Sequence, residues 1–333
     1  MTSLQIINEF LVASKIKGSA IDLEIGLRGI KYYIKLALGE RVAKLRVLQE
    51  ELALITQSIS IPDIYLDSQA GLVVVESITT KNLEPISLES LSSSVDVGNY
   101  TLPLILGKDM SNNTTTIDLV DCPHILIGGT TGSGKSVLLQ SIICSLLTKP
   151  ISSNDLKFIL LDPKGTEMNH LKSLPHTLKY VDSFEQAFKA IQMVELLMEE
   201  RYRHNSLDPE SRGNFPFLVV VIDELADLLL QDKHKTFKST LVRILQKCRA
   251  AKIHVIAATQ RPSRNIIDGL IRANLPTQIA LKTSSALDSR IIIDSAGAEK
   301  LVGHGDMLLS FNGKISRIQG AVAGKQLTFN RSA

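Results

Sequence analysis

Eight residues carry the chemistry that this chain displays most openly. They are Gly129, Thr130, Thr131, Gly132, Ser133, Gly134, Lys135 and Ser136. Their spacing is G-x-x-x-x-G-K-[ST], the pattern of a phosphate-binding loop. Glycines let backbone N–H groups close around phosphate oxygens at a helix N-terminus. Lys135 then reaches the β/γ-phosphates, and the Ser136 hydroxyl is a Mg²⁺ ligand, so ATP with Mg²⁺ is the expected cofactor set. The competing reading, a chance Gly/Ser turn, leaves the flanking apolar segments unexplained.

Two acids follow an apolar run at Leu218–Ile222: Asp223 and Glu224. In phosphate-loop hydrolases such a pair divides the work. Asp223 suits the Mg²⁺ ligand, and Glu224 suits the group that orients or deprotonates the attacking water. A carboxylate at a buried strand end is costly without a partner, and a cation supplies one. The plainer alternative is that both acids cap the next helix. Gln260 ends another apolar run, Ile256–Thr259. Two readings are open for it: a sensor of the γ-phosphate or its water, or a turn residue satisfying local backbone. Asp162 and Lys164 end a third run, with a supporting charge and an ordinary turn equally open.

These residues need strands to end on and helices to start from. Pro123–Ile127 has strand length, and Val137–Leu147 has the spacing of a buried helix. Lys157–Leu161, Phe217–Ile222, His254–Ala258 and Thr277–Leu281 read as further strands. Ser183–Arg203 and Thr236–Ala250 read as helices. Such alternation predicts an α/β fold, a mostly parallel sheet with helices on both faces. Ligands in such sheets sit at the carboxyl ends of the strands. Upstream, residues 1–17 predict a lead-in helix, Gly29–Leu38 a strand and Val42–Leu54 a helix. Ile64–Leu66 and Leu72–Glu76 predict a hairpin, and 79–100, rich in Ser and Asn, a connector. The expected division is a small α/β domain with its connector over 1–100 and an ATPase domain over 101–333.

Composition is ordinary for a globular chain of 333 residues, 44% hydrophobic and 21% charged, enough for about two domains. No apolar run reaches the ~18 residues of a membrane span. Met1–Phe10 lacks the features of a secretion signal. Three widely spaced cysteines (Cys122, Cys144, Cys248) disfavour disulfides and metal clusters. A cytoplasmic protein without membrane insertion is therefore expected. Net charge is only +3, yet Gln231–Arg290 holds twelve Lys/Arg against three Asp/Glu. Two readings of that segment are open, a polyanion partner or a solvated and inter-subunit face. The seven scattered histidines read as core or strand-end residues.

Pro123–Ser136, Asp162-Pro163-Lys164, Val221–Leu229 and Cys248–His254 through Arg261-Pro262-Ser263 resemble the motor domain of the FtsK/SpoIIIE family of double-stranded DNA translocases. Gly269–Thr277, Asp288–Arg290 and Ala296–Leu308 extend the resemblance across 102–320, and residues 18–78 resemble the family's small preceding domain. The resemblance implies a RecA-like core in a homo-oligomeric ring, usually hexameric, around duplex DNA, with nucleotide between subunits. Arg249 matches the trans-acting arginine finger, a planar cation that stabilises phosphoryl charge. Arg261 and Arg272 match pore-facing positions, where phosphate contacts give grip without sequence readout. For each of these arginines a local ion pair is the alternative. The chain departs from close relatives at Ala286, where they often carry Lys, and in a short segment at Asn205–Pro216. No membrane-spanning start and no C-terminal winged helix are expected. Two other functions are weighed against a duplex motor: a nucleotide-gated binding module that does not translocate, and a motor acting on single-stranded DNA or protein.

Overall fold

The computed structural model describes residues 3–80, 84–207 and 215–324. Parts of two sequence expectations, the connector at 79–100 and the short segment at Asn205–Pro216, fall outside these residues.

The chain divides into two compact units. The first comprises Met1–Pro85 with Lys108–Asn113. It contains α1 (Ser3–Ala13), β1 (Gly18–Ile25), β2 (Gly29–Leu36), α2 (Val42–Val47), α3 (Gln49–Ile55), β3 (Asp63–Asp67) and β4 (Leu72–Ile78). Its antiparallel sheet runs β1-β2-β4-β3. Ile7, Leu11, Ile34, Leu45, Leu52 and Val75 form its core. The helix expected over Val42–Leu54 is two helices, because Leu48 leaves helical geometry at φ −99°, ψ 24°. Strand β1 was not expected from sequence, although Ile21, Leu23 and Ile25 alternate with Asp22 and Glu24; a register shift between Ala20 and Asp22 interrupts its pairing with β2.

The second unit comprises Ile86–Gly107 and the chain from Thr114 onward. It begins with β5 (Ile86–Ser87), α4 (Leu88–Ser94), β6 (Pro103–Asp109, whose last two residues are counted with the first unit) and β7 (Thr114–Asp118). Next come β8 (His124–Gly128), α5 (Lys135–Leu146), β9 (Leu156–Leu161), β10 (Thr177–Val181), α6 (Phe184–Leu207) and β11 (Phe217–Ile222). The rest is α7 (Leu225–Gln231), α8 (Thr236–Lys247), β12 (Ile253–Thr259), α9 (Gly269–Ala273), β13 (Thr277–Leu281), α10 (Ala286–Ile293), β14 (Asp306–Phe311) and β15 (Lys314–Val322). The expected connector is therefore partly ordered structure. Ser87 caps α4 by accepting from the Ser90 N–H at 3.2 Å, and Leu88 and Leu91 pack with Ile105, Cys144 and Ala321 of the second unit. The break between units falls at Pro85/Ile86 rather than at residue 100.

The large sheet has the order β10-β9-β11-β12-β8-β13-β14-β15-β6-β7. From β10 to β13 every neighbouring pair is parallel. β13–β14 and β14–β15 are antiparallel. Along β11, Leu218, Val220 and Ile222 enter one core while Val219 and Val221 enter the other. This is the two-residue period of a strand covered on both faces, which explains the unbroken apolar run. Residues of α6, α7, α8 and α10 cover the first face and those of α5 the second. Burying each such Leu, Ile or Val contributes about 1.5–3 kcal/mol before chain entropy is counted.

Register then aligns the strand ends. Leu161 pairs with Ile222, Ile222 with Ala257, Thr259 with Gly128, and Gly128 with Ala280. The polar residues after β9, β11, β12, β8 and β13 consequently share one edge of the sheet.

Candidate functional site

The phosphate loop leaves β8 at Gly128 and enters α5 at Lys135. It is held from three sides. Gly129 N donates to Thr259 O at 3.2 Å, Thr130 N to Lys282 O at 2.8 Å, and Gly305 N to Ser133 O at 2.9 Å. Gly134 caps α5 with φ +105°, a conformation open to glycine. A Cβ there would lie 2.6 Å from the backbone N of Gly305, so the close approach also demands glycine. No side chain caps α5. Its first N–H groups therefore face the loop without helical partners, the arrangement that receives an anion.

The acids meet the loop across the strand ends. Lys135 Nζ donates to Asp223 Oδ1 at 2.6 Å and to Asp223 O at 2.7 Å. Both side chains are at most 3% exposed. Burial pushes the Asp223 carboxyl above its ordinary range, and Lys135 opposes that shift. Asp162, fully buried at the end of β9, accepts from Glu167 N (3.0 Å), Met168 N (2.9 Å) and Tyr180 Oη (3.2 Å) through Oδ2. Its Oδ1 has no protein partner. Burial, then Asp162, pushes the Tyr180 hydroxyl up to about 12. Lys164 pairs with Asp227 at 3.1 Å, a local use of its charge.

This donor set fits Mg²⁺. Hydroxyl and carboxylate oxygens are hard ligands; Asp223 is desolvated with Lys135 as its cation, and Asp162 keeps one buried oxygen without a partner. Among the described residues no group of three His, Cys, Asp or Glu forms a complete protein cage. A cation bound through Ser136 and Asp223 would therefore complete its shell with phosphate and water oxygens, the usual habit of Mg²⁺.

Glu224 is held on both oxygens. Oε1 accepts from Thr259 Oγ1 at 2.6 Å and from Ala226 N at 3.3 Å, and Oε2 accepts from Gln260 N at 2.8 Å. The helix-capping alternative is thus realised for Glu224 alongside its contact with β12. The Gln260 side chain accepts from Thr131 Oγ1 at 2.8 Å, which joins the end of β12 to the phosphate loop. Beside them Thr130, Gln260, Arg261, Thr283 and Asp288 line a cavity of about 210 Å³.

The arginines lie elsewhere. Arg249 is exposed in the 3-10 turn Cys248–Ala251, ahead of β12. Seven residues of β12 separate that turn from the phosphate edge, about 20 Å at ~3.3 Å per residue. Arg249 cannot reach the phosphates of its own chain across that strand. It lines a cleft of about 650 Å³ with Tyr202, Phe217, Lys252 and His254. Arg261 is exposed just past β12. Arg272 is used locally, pairing with Asp294 at 2.6 Å and donating to Arg290 O at 3.2 Å. A cavity of about 380 Å³ gathers it with Arg264 and Arg290, both exposed. Those two, and Thr259, are functional candidates that sequence reasoning passed over. Arg264 and Arg290 belong to the basic segment, but their convergence with Arg272 needs the packing of α9 beside α10.

His124 and His254 are buried strand residues. His254 Nδ1 lies 3.2 Å from Pro123 O, and His124 Nδ1 accepts from Val255 N at 3.2 Å. Burial is the first cause that depresses both, His124 to about 3 and His254 to about 4.

The FtsK/SpoIIIE family model matches residues 90–212 and 204–264. The protein "DNA translocase FtsK" of Listeria monocytogenes is 35% identical over 333 residues, which covers 92% of this chain and 43% of that protein. The protein of the same name in Lactococcus lactis subsp. cremoris is 38% identical over 302 residues, covering 84% and 39%. The chain thus spans about two fifths of the length of these relatives. Among solved structures, the pCW3 conjugation coupling protein TcpA shares the fold at TM-score 0.65 and 18% identity, over 97% of this chain and 95% of that one. The type VII secretion ATPase EccC of Thermomonospora curvata does so at TM-score 0.61 and 24% identity, over 72% and 32%. Among the described residues no helix is long and apolar enough to cross a membrane.

Proposed function

This chain belongs to the FtsK/SpoIIIE family, and on that premise we propose that it is an ATP-hydrolysing motor acting on double-stranded DNA in the cytoplasm. The observation that carries the reading is the meeting of Lys135, Asp223 and Glu224 at one strand edge, with Gln260 bridging to Thr131. The loop 129–136 and the α5 N-terminus bind the triphosphate. Lys135 turns from Asp223 to the phosphates when they arrive. Ser136 and Asp223 would hold Mg²⁺, which would supply charge neutralisation on the phosphate oxygens. Glu224 orients the attacking water and accepts its proton, and Gln260 reports the state of the site to the loop that bears Arg261.

The position of Arg249, a strand length away from its own loop, supports an active site completed by a neighbouring copy. A homo-oligomeric ring, hexameric as is usual in the family, gives every site such a neighbour. Arg261 offers its charge to DNA phosphates directly. Arg272 reaches them only by leaving Asp294, and Arg264 and Arg290 stand beside it.

Triplex displacement tests the proposal. Wild-type protein strips a third strand from duplex DNA when given ATP, and Glu224→Gln binds ATP without stripping. Stripping without ATP hydrolysis, or hydrolysis stimulated only by single-stranded DNA, would overturn it.

A further inference from the structure

The contacts of Glu224 carry an inference beyond its role in hydrolysis. A carboxylate has about four acceptor positions. Protein donors fill three of them here: the Thr259 hydroxyl, the Ala226 N–H and the Gln260 N–H. Oε1 already receives two bonds and has no lone pair left for a water, and the one position still open is on Oε2, which the Gln260 N–H holds in place. A general base needs one within hydrogen-bond reach of the proton it takes.

The donors are not independent of the DNA-facing loop. The Thr259 hydroxyl that donates to Glu224 at 2.6 Å itself accepts from the backbone N–H of Arg261 at 3.1 Å. The third donor is the N–H of Gln260, the residue between them. Thr259 and Glu224 are buried, whereas Arg261 is exposed. A displacement of the backbone at 260–261 therefore reaches Glu224 through two of its three bonds. The Gln260 side chain meanwhile anchors to Thr131 of the phosphate loop.

We infer that Thr259 is a positioning residue that clamps Glu224 in a resting orientation, and that engagement of Arg261 by a DNA phosphate loosens the clamp so that Glu224 can turn to the attacking water. This rests on the ATPase and DNA-binding reading above. It explains why a base would be tied to the strand that leads to the DNA loop rather than left facing the nucleotide. The proton path is unchanged: water loses its proton to Glu224, and Thr259 keeps its own.

The test measures ATP turnover of the full chain with and without duplex DNA. Thr259→Val removes the hydroxyl and keeps the branched shape. Its DNA-free rate should rise about tenfold, the size expected for losing one hydrogen bond to a charged group. Stimulation by DNA should shrink by the same factor, with KM for ATP unchanged. Thr259→Ser keeps the hydroxyl and should restore low DNA-free turnover and full stimulation. Thr259→Ala, which introduces no new atoms, serves the same test if the Val variant melts early. An unchanged or lower DNA-free rate in Thr259→Val and Thr259→Ala overturns the clamp. So does an equal loss with and without DNA, which is what a structural role predicts. If wild-type protein hydrolyses no ATP, the ATPase reading itself has failed. If it hydrolyses ATP at a rate that DNA does not change, the DNA-gated clamp has failed while the ATPase reading stands.

Discussion

The Lys135–Asp223 pair offers a prediction that separates folding from activity. The two charges meet at 2.6 Å with side chains 3% and 1% exposed. Lys135→Met leaves the Asp223 carboxylate buried without its cation, in surroundings that already push its pKa up. Breaking a buried pair from one side costs about 3–5 kcal/mol. Asp223→Asn leaves Lys135 its bond to the main-chain carbonyl of residue 223, 2.7 Å away, so its cost should be smaller, about 2 kcal/mol. The double variant has no stranded charge. Its cost should fall below the sum of the singles by about 2–3 kcal/mol, the coupling expected of contacting residues. Nucleotide-free urea unfolding reads this out. Lys135→Met should lower the midpoint by about 1 M, and the double variant should recover much of that loss. All three proteins should be inactive, since each lacks a phosphate or metal contact. Additive costs would refute the reasoning, because they would mean that Lys135 does not compensate Asp223 in the folded chain.

Three further outcomes are expected. Gly134→Ala should abolish nucleotide binding measured with a fluorescent ATP analogue, because its Cβ would meet the Gly305 backbone at 2.6 Å, whereas Gly132→Ala, with nothing within 4 Å, should lose only about 1–2 kcal/mol to its φ of +79°. His124 and His254 stay neutral when folded but take protons near pH 6.5 when unfolded, so the unfolded state binds more protons below that pH. Their contribution is intact above pH 6.5 and is lost as pH falls toward about 4 for His254 and about 3 for His124. Urea stability should therefore drop by about 2 kcal/mol per imidazole between pH 7.5 and 5.0, and a flat profile would count against their burial. Arg249→Ala subunits mixed with Glu224→Gln subunits should recover ATP turnover at those junctions where an intact site meets an intact arginine. Mixtures as inactive as either pure ring would count against a shared site.

Much of this was legible in the chain. The strand Phe217–Ile222 stands at the expected residues, because a strand buried on both faces is continuously apolar, and Thr277–Leu281 does so as well although it opens on buried Thr277 and Gln278. The helix after the phosphate loop follows from its apolar spacing, although its first turn begins at Lys135, two residues before the apolar pattern. Less was legible where the signal is cooperative. Strands β14 and β15 mix apolar and polar residues and exist because they extend the parallel sheet from β13. The helix Leu88–Ser94 hides in a serine-rich stretch because tertiary packing of Leu88 and Leu91 outweighs weak helical propensity.

The sequence alone marked the residues proposed to hold phosphate, because the G-x-x-x-x-G-K-[ST] spacing is a local pattern read within eight consecutive residues. It also determined which acids stand at a strand end. Tertiary structure decided what those groups do to one another. Parallel register brings Thr259 beside Gly128 and sets its hydroxyl on Glu224, while the length of β12 sends Arg249 to the opposite edge of the sheet. Packing of α9 beside α10 spends Arg272 on Asp294 and leaves Arg264 and Arg290 at the surface. Such pairings join residues tens of positions apart. They depend on strand order and helix placement, which the buried faces of the whole sheet settle together.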